Sequence, residues 1–290
     1  MEIITSFKGS LEDLEKYESI IVAPQEFAVA NDYNLTNHQI ENLVRLGNEN
    51  NIKVYVLCNQ MIYDEDIEAL ENHLKWIKSL NVTGVYFADM AVFVLAKKLA
   101  MLDKMIYGPG MTIVNSEDVK AYLDMGIQAV ELANELTLDE KIAIAKSNPD
   151  QVGIVISGYL LMSYSKRKVL SNYFEYINKD MKLEKNYNLS LVERTRSGKM
   201  PIYEDANGAY IYSEYVFHSF NYLKELLAAP FKYFRIDGIF MDTTMIEDLL
   251  NAYTANILGR SDDFLVFLAN KYPNYVFNDT FYYTETSEVK

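Results

Sequence analysis

The 290-residue sequence contains little cysteine and little histidine, and both shortages exclude kinds of chemistry. Cys58 is the single cysteine, which rules out an intrachain disulfide, a multi-cysteine zinc site and an all-cysteine iron–sulfur cluster. The three histidines, His38, His73 and His218, are few for a histidine-rich metal centre. We therefore expect no iron–sulfur cluster, whereas a divalent metal held by carboxylate oxygens stays open.

The common catalytic motifs are missing as well. The sequence has no His-Glu-x-x-His helix, no Gly-x-Ser-x-Gly elbow, no P-loop and no Gly-x-Gly-x-x-Gly turn. Cys58 ends a predicted strand and could act as a nucleophile only with a base beside it. Because no histidine occupies a matching strand end, we interpret Cys58 as a structural thiol.

Long apolar runs are absent from the sequence. No run approaches the roughly 20 residues that a membrane-spanning helix needs. The first residues, Met1 to Thr5, lack the basic region and long apolar core of a secretory signal. Together with the single thiol, these features lead us to expect a cytoplasmic protein that has no membrane partner.

Positive charge is scarce overall but is concentrated in one segment. The chain has 27 Lys and Arg against 41 Asp and Glu, a net charge of −14 that argues against a nucleic-acid clamp over the whole surface. Nine basic residues nevertheless lie between Leu160 and Met200, opposed by four acidic ones. They are Lys166, Arg167, Lys168, Lys179, Lys182, Lys185, Arg194, Arg196 and Lys199.

Tyrosines are interleaved with these charges, at positions 159, 164, 173, 176 and 187. A basic and aromatic segment can bind an anionic substrate, an RNA strand or a peptide carboxylate. The alternative is that the charges are solvated and pair with the acidic remainder of the chain. We predict that this segment contacts a ligand.

Short apolar runs alternate with helical patterns along most of the chain and predict an α/β fold, a TIM-like (β/α)8 barrel. Eight strands are predicted, beginning near residues 3, 20, 53, 84, 104, 128, 153 and 233. Residues 158–215, between strands 7 and 8, read as a loop and hairpin insertion with a turn at Asp205–Gly208. An open doubly wound sheet would fit seven strands. We predict a single barrel domain over residues 1–290, with residues 158–215 as an inserted lid or wall.

Barrel enzymes carry their chemistry at the carboxyl ends of the strands, and this rule selects the candidate site. Glu131, Glu135 and Asp237 are the predicted catalytic group, which could work as an acid and base pair or hold a divalent metal. For any one of these carboxylates, a solvated surface position is the alternative. The residues predicted to bind substrate are Glu26, Asn59, Tyr159, Tyr164, Arg167, Arg194 and Arg196.

Several segments resemble one known family. Residues 156–174, which begin Ile-Ser-Gly-Tyr-Leu-Leu-Met-Ser-Tyr-Ser-Lys-Arg, are similar to the signature of the U32 peptidases, the collagenase-like group. Val130–Leu138 resembles the family's Val-Leu-Ala-Arg-Glu-Leu-Ser-Leu stretch. Three later segments resemble the family in the same order: Glu193–Arg196, Met200–Asp205 and Phe234–Gly238. The similarity covers about residues 20–255 and is greatest to the short, cysteine-poor members found in Firmicutes.

The sequence also departs from the family pattern. Ser157 stands at the usual histidine, Leu161 and Lys168 stand at the usual cysteines, and Ile239 replaces an arginine. The positions that still match the family are Gly158, Tyr164, Ser165, Arg167, Ser171, Glu135 and the acidic position at Asp237.

The resemblance implies a barrel-like fold and a peptidase that cleaves peptides with water activated by a carboxylate or a metal. Some members of the family instead take part in hydroxylating RNA pyrimidines. The alternative is therefore an auxiliary or RNA-binding factor in tRNA uridine hydroxylation, non-catalytic by itself and partnered by a sister subunit of the same family. The absence of the family's usual histidine, cysteines and arginine favours the auxiliary role. The sequence leaves open whether the chain is an enzyme.

Overall fold

The computed structural model describes residues 1–194, 198–259 and 263–284. At its centre, eight parallel strands form a ring in which each strand pairs with the next. The last of them pairs with both the first and the seventh, which closes the barrel. The predicted (β/α)8 barrel is thus confirmed. Its strands are β1 (Glu2–Ser6), β2 (Ser19–Val22), β3 (Lys53–Cys58), β4 (Gly84–Phe87), β5 (Met105–Tyr107), β6 (Ala129–Glu131), β7 (Val152–Ser165) and β11 (Tyr233–Ile236).

The connections between strands are mostly helical. The first is a 3-10 helix, Leu11–Lys16, and the later ones are α1 (Asn37–Asn50), α2 (Ile67–Ser79), α3 (Met90–Lys98), α4 (Ser116–Asp124), α5 (Leu138–Ser147) and α7 (Leu223–Leu227). Helix α8 (Thr243–Ile257) follows the last barrel strand, and α9 (Phe264–Lys271) follows α8. Capping boxes start α1 at Thr36 and α5 at Thr137, because each threonine hydroxyl accepts a backbone N–H three residues on.

Tyrosines fill the inside of the barrel. The rings of Tyr55, Tyr86 and Tyr233 pack there with small and aliphatic side chains, and neighbouring rings meet edge to face at 6.1 and 6.0 Å. Glycines make room for these rings, since a Cβ atom on Gly153 would lie 2.1 Å from the ring of Tyr233. The interior of the barrel is therefore filled by side chains, and a cavity opens at the carboxyl ends of the strands.

The predicted insertion between the seventh and eighth barrel strands is an antiparallel extension of the barrel sheet. Strand β7 leaves the barrel near Gly158 and pairs with β10 (Gly208–His218), which in turn pairs with β9 (Met200–Asp205) through the predicted tight turn. Strand β8 (Ser190–Leu191) pairs with β9, and β12 (Phe277–Asn278) pairs with β10. Helix α6 (Val169–Tyr176) follows β7.

No helix within the three described stretches combines the length and the apolar character that crossing a membrane requires.

Candidate functional site

A cavity of about 330 Å³ opens at the carboxyl ends of the barrel strands. Its walls come from the strand ends and from the loops that follow them, which is where barrel proteins place their ligands. One wall belongs to the insertion and is formed by Tyr159, Leu160, Leu161, Tyr164 and Tyr212. The antiparallel sheet thus contributes directly to the site.

Tyrosine is the characteristic residue of this cavity. Its lining includes Tyr33, Tyr86, Tyr107, Tyr159, Tyr164 and Tyr212. Tyr159 and Tyr212 both pack edge to face on Phe240, with ring centroids 5.5 and 5.0 Å away. Burial raises the pKa of Tyr159 and of Tyr164 to about 12, so both hydroxyls are neutral at physiological pH. The cavity therefore offers planar apolar faces with uncharged polar tips.

Three charged residues form a network at the inner end of the cavity. Arg235, on the last barrel strand, donates from Nε and Nη2 to the two carboxylate oxygens of Glu131, each at 2.8 Å. Its Nη1 donates to Asp237 Oδ2 at 2.9 Å. The other oxygen of Asp237 accepts the backbone N–H of Ile239 at 3.1 Å. Both oxygens of the buried Glu131 are thus engaged, whereas the Asp237 side chain is 27% exposed and lines the cavity.

The remaining charged groups of the lining are also occupied. Lys8 forms an ion pair with Asp32 and donates to the carbonyl of Met241 at 2.9 Å. Asp89 accepts the backbone N–H of Ala91 and of Ile62. Among the described residues, Lys8 and Arg235 are the cations of this lining, and each has at least one carboxylate partner. The interior therefore suits a neutral group that forms hydrogen bonds better than it suits a phosphate.

The other predicted site residues differ in whether they line the cavity. Asn59 lines the cavity and binds the backbone of Val29 through both side-chain amide atoms. Glu26 and Glu135 are exposed and lie outside the cavity lining, as do Arg167 and Arg194. Arg196 falls outside the described residues. The roles assigned to all of these residues stay predictions.

The model of Peptidase family U32 matches residues 17–263 of this chain. The chain belongs to the U32 family. Its similarity to tRNA hydroxylation protein P2 of Bacillus subtilis (strain 168) is 27% identity over 224 residues, which cover 76% of this chain and 72% of that protein. The tRNA hydroxylation protein P1 of the same organism is 25% identical over 171 residues, covering 57% of this U32 chain and 40% of P1.

The fold is also similar to a solved family structure. The U32 peptidase Mk0906 superposes with a TM-score of 0.50 at 14% identity and covers 82% of this chain and 93% of its own. At that identity, the likeness supports the barrel fold alone.

The structure explains the presence of two residues that this U32 chain shares with the family signature. Gly158 has φ +135°, and a Cβ there would lie 2.5 Å from the carbonyl oxygen of Asp237. Ser171 donates from its hydroxyl to Glu204, whose carboxylate also accepts the backbone N–H of Leu170 at 2.8 Å. The first residue allows β7 to pass close to Asp237, and the second fixes α6 to β9.

The described carboxylates of this U32 member lie apart from one another or already have a partner. Among residues 1–194, 198–259 and 263–284, no three His, Cys, Asp or Glu side chains converge in a way that could hold a metal ion. Glu131 is committed to Arg235, and Glu135 does not reach the cavity. Burial also raises the pKa of the Cys58 thiol to about 12, which agrees with a structural thiol.

The sequence did not single out Arg235, although a signal was available. Alternate residues of a strand share one face, so Tyr233, Arg235 and Asp237 all point to the same side. Since Tyr233 fills the barrel interior, an arginine two residues later requires a buried carboxylate nearby. Glu131 meets that requirement.

Proposed function

We propose that this U32 protein is an RNA-binding factor in tRNA hydroxylation, which holds a pyrimidine nucleoside in the cavity while the insertion contacts the RNA backbone. The main support for the proposal is the different state of the cations in the cavity and on the insertion. The cations of the cavity lining are paired with carboxylates, whereas Arg167, Lys168 and Arg194 on the insertion are exposed to solvent.

The cavity is suited to a base taken out of its stack. Enzymes and factors that act on a nucleobase extrude it into a pocket, where aromatic side chains stack on it and polar groups read its edge. Tyr159 and Tyr212 provide ring faces and edges here, and Arg235 with Asp237 provides a donor and an acceptor. A neutral base can enter this lining without breaking an ion pair.

The basic insertion is suited to phosphates. Strand β7 carries Tyr164 in the cavity wall and ends at Ser165, and exposed Arg167 and Lys168 follow immediately. Phosphate contacts from such residues fix the position of a nucleic acid, whereas pocket contacts read the base. The similarity to tRNA hydroxylation proteins P1 and P2 supports the same assignment.

The proposal also covers the domain organisation, the location and the partner of the protein. Residues 1–290 act as one domain in which residues 158–215 form a wall of the cavity, and the protein works in the cytoplasm. A sister U32 subunit that retains the cysteines missing here supplies the hydroxylation chemistry. The existence of two named tRNA hydroxylation proteins in one bacterium supports such a pairing.

Peptide hydrolysis is the second candidate, and Asp237 is the observation that favours it. Of the three predicted catalytic carboxylates, Asp237 is the one that lines the cavity. As a general base it would have to take a proton from water while accepting a hydrogen bond from Arg235. This second reading predicts that purified protein cleaves gelatin or mixed peptides and that Asp237→Asn abolishes cleavage.

Binding to a tRNA transcript, followed by fluorescence anisotropy, tests the proposed function. Between 50 and 200 mM salt we expect affinity to fall by about tenfold or more, because phosphate contacts release counterions. Arg167→Ala and Arg194→Ala should each weaken binding. The matched control is Arg45→Ala on α1, an exposed arginine outside the insertion, which should not. Absent or salt-insensitive tRNA binding would overturn the proposal.

A further inference from the structure

Helix α6 has no fully buried residue and carries two strongly exposed aromatic side chains. None of its eight residues is buried. Tyr173 is 56% exposed and Tyr176 is 84% exposed, the highest value among the large apolar side chains of the described residues. Such rings contribute little to the folded core and are available to a ligand.

The helix is held firmly although it buries so little. The carboxylate of Glu204, itself 2% exposed, accepts the backbone N–H of Leu170 at 2.8 Å, the N–H of Ser171 at 3.3 Å and the Ser171 hydroxyl. A carboxylate at this end also complements the helix dipole. The first turn of α6 is thereby fixed to β9, and the rings on the helix are presented on a defined support.

The two tyrosines are three residues apart, so they lie on the same face of α6. Cations lie on both sides of α6 in the sequence: Arg167 and Lys168 precede the helix, and Lys179 follows it. The surrounding segment is the one basic region of an otherwise acidic chain. Aromatic rings between cations are the arrangement by which proteins bind single-stranded nucleic acid without reading its sequence.

We propose that α6 is a stacking platform for unpaired RNA, on which Tyr173 and Tyr176 hold bases outside the cavity. The inference rests on the proposed RNA-binding function and adds a second contact site to it. Arg167, Lys168 and Lys179 bind the adjoining phosphates. Helix α6 begins five residues after Tyr164 of the cavity wall, and the proposal includes one RNA loop that contacts both sites.

The chemistry favours RNA over a protein partner. A protein interface would bury these tyrosines together with apolar neighbours and would be depleted of lysine. Instead, Arg167 and Lys168 precede α6 and Lys179 follows it, which makes phosphates the matching groups.

The test compares single-stranded and duplex RNA of equal length, each labelled for anisotropy. The Tyr173→Ala, Tyr176→Ala double variant should bind the single strand about tenfold or more weakly than wild type, with duplex binding almost unchanged. The Phe double variant keeps the rings and should bind like wild type. Tyr283→Ala is the matched control, because Tyr283 is 61% exposed and lies in the C-terminal segment instead. Circular dichroism should show unchanged folding, since alanine favours helix.

The outcomes separate the platform from the proposed function. If the Ala double variant binds single-stranded RNA as wild type does, the platform is wrong, while salt-sensitive tRNA binding that depends on Arg194 would still support the function. Equal losses for single strand and duplex would also overturn stacking. If the wild type binds neither tRNA nor the single strand, the proposed function fails first and the platform fails with it.

Discussion

Glu131 and Arg235 form a two-pronged ion pair inside the barrel, with both donor–acceptor distances at 2.8 Å. The pair joins β6 to the last barrel strand across the inner end of the cavity. It also directs the remaining guanidinium nitrogen to Asp237, at 2.9 Å. Glu131 therefore holds Arg235 in place, and the catalytic role predicted for Glu131 stays a prediction.

Glu131→Gln should lower the free energy of unfolding by about 3 kcal/mol, because it leaves a buried arginine with only one carboxylate. Urea denaturation measures this loss. Glu135→Gln is the matched control, four residues away and exposed, and should change stability by less than about 0.5 kcal/mol. Similar losses in the two variants would contradict the assignment of Glu131 as the buried partner of Arg235.

Gly158→Ala should be strongly destabilising, by about 3 kcal/mol. The substitution adds a Cβ at φ +135°, 2.5 Å from the carbonyl oxygen of Asp237, so strain and a backbone clash act together. Gly259→Ala separates the two effects, since Gly259 has φ +78° with nothing within 4 Å of the added atom. Thermal unfolding should show a loss of only about 1 kcal/mol for that control. Equal losses would show that the contact with Asp237 is unimportant.

The pattern of apolar residues predicted the barrel because strand and helix formation depends largely on residues that are near one another in the sequence. The alternation of short apolar runs with helical patterns predicted the order of the barrel strands. The turn between Asp205 and Gly208 also joins the two predicted strands.

The features that were not predicted depend on contacts between distant parts of the chain. Strand β7 continues beyond Gly158 by pairing with β10, which lies some 50 residues later in the chain. The fixing of Ser171 by Glu204 crosses 33 residues, and the pairing of Glu131 with Arg235 crosses 104. The hydrophobic periodicity of a short stretch of sequence does not reveal which distant residue will be its partner.

Cys58 should be unreactive in the folded protein. The thiol is fully buried and its pKa is raised to about 12 by burial, so almost no thiolate forms at pH 8. We expect a thiol reagent such as Ellman's to label Cys58 in guanidinium chloride and to leave it unlabelled in buffer over the same time. Rapid labelling in buffer would show that the strand end is open and would make a nucleophilic role worth testing.

Lys141, on α5, is buried and forms an ion pair with none of the carboxylates that the structure describes. Its Nζ donates to the carbonyls of Asn134 and Leu136 at 2.8 and 2.6 Å and lies 5.0 Å from the ring centre of Tyr282. Burial lowers its pKa to about 7, an effect that Glu140 and Glu135 partly oppose. Since Asn134 lines the cavity, this lysine holds one of the loops of the site.

The lowered pKa of Lys141 predicts that stability rises with pH between 7 and 9. In this range the unfolded chain, in which a lysine titrates near 10.4, binds a proton that the folded chain has released. Its contribution to the slope is at most about 1.4 kcal/mol per pH unit. Urea denaturation across this range should show wild type gaining stability relative to Lys141→Met. Lys146→Met removes an exposed lysine from the same helix and should keep the wild-type slope. Parallel curves for wild type and Lys141→Met would show that Lys141 keeps an ordinary pKa.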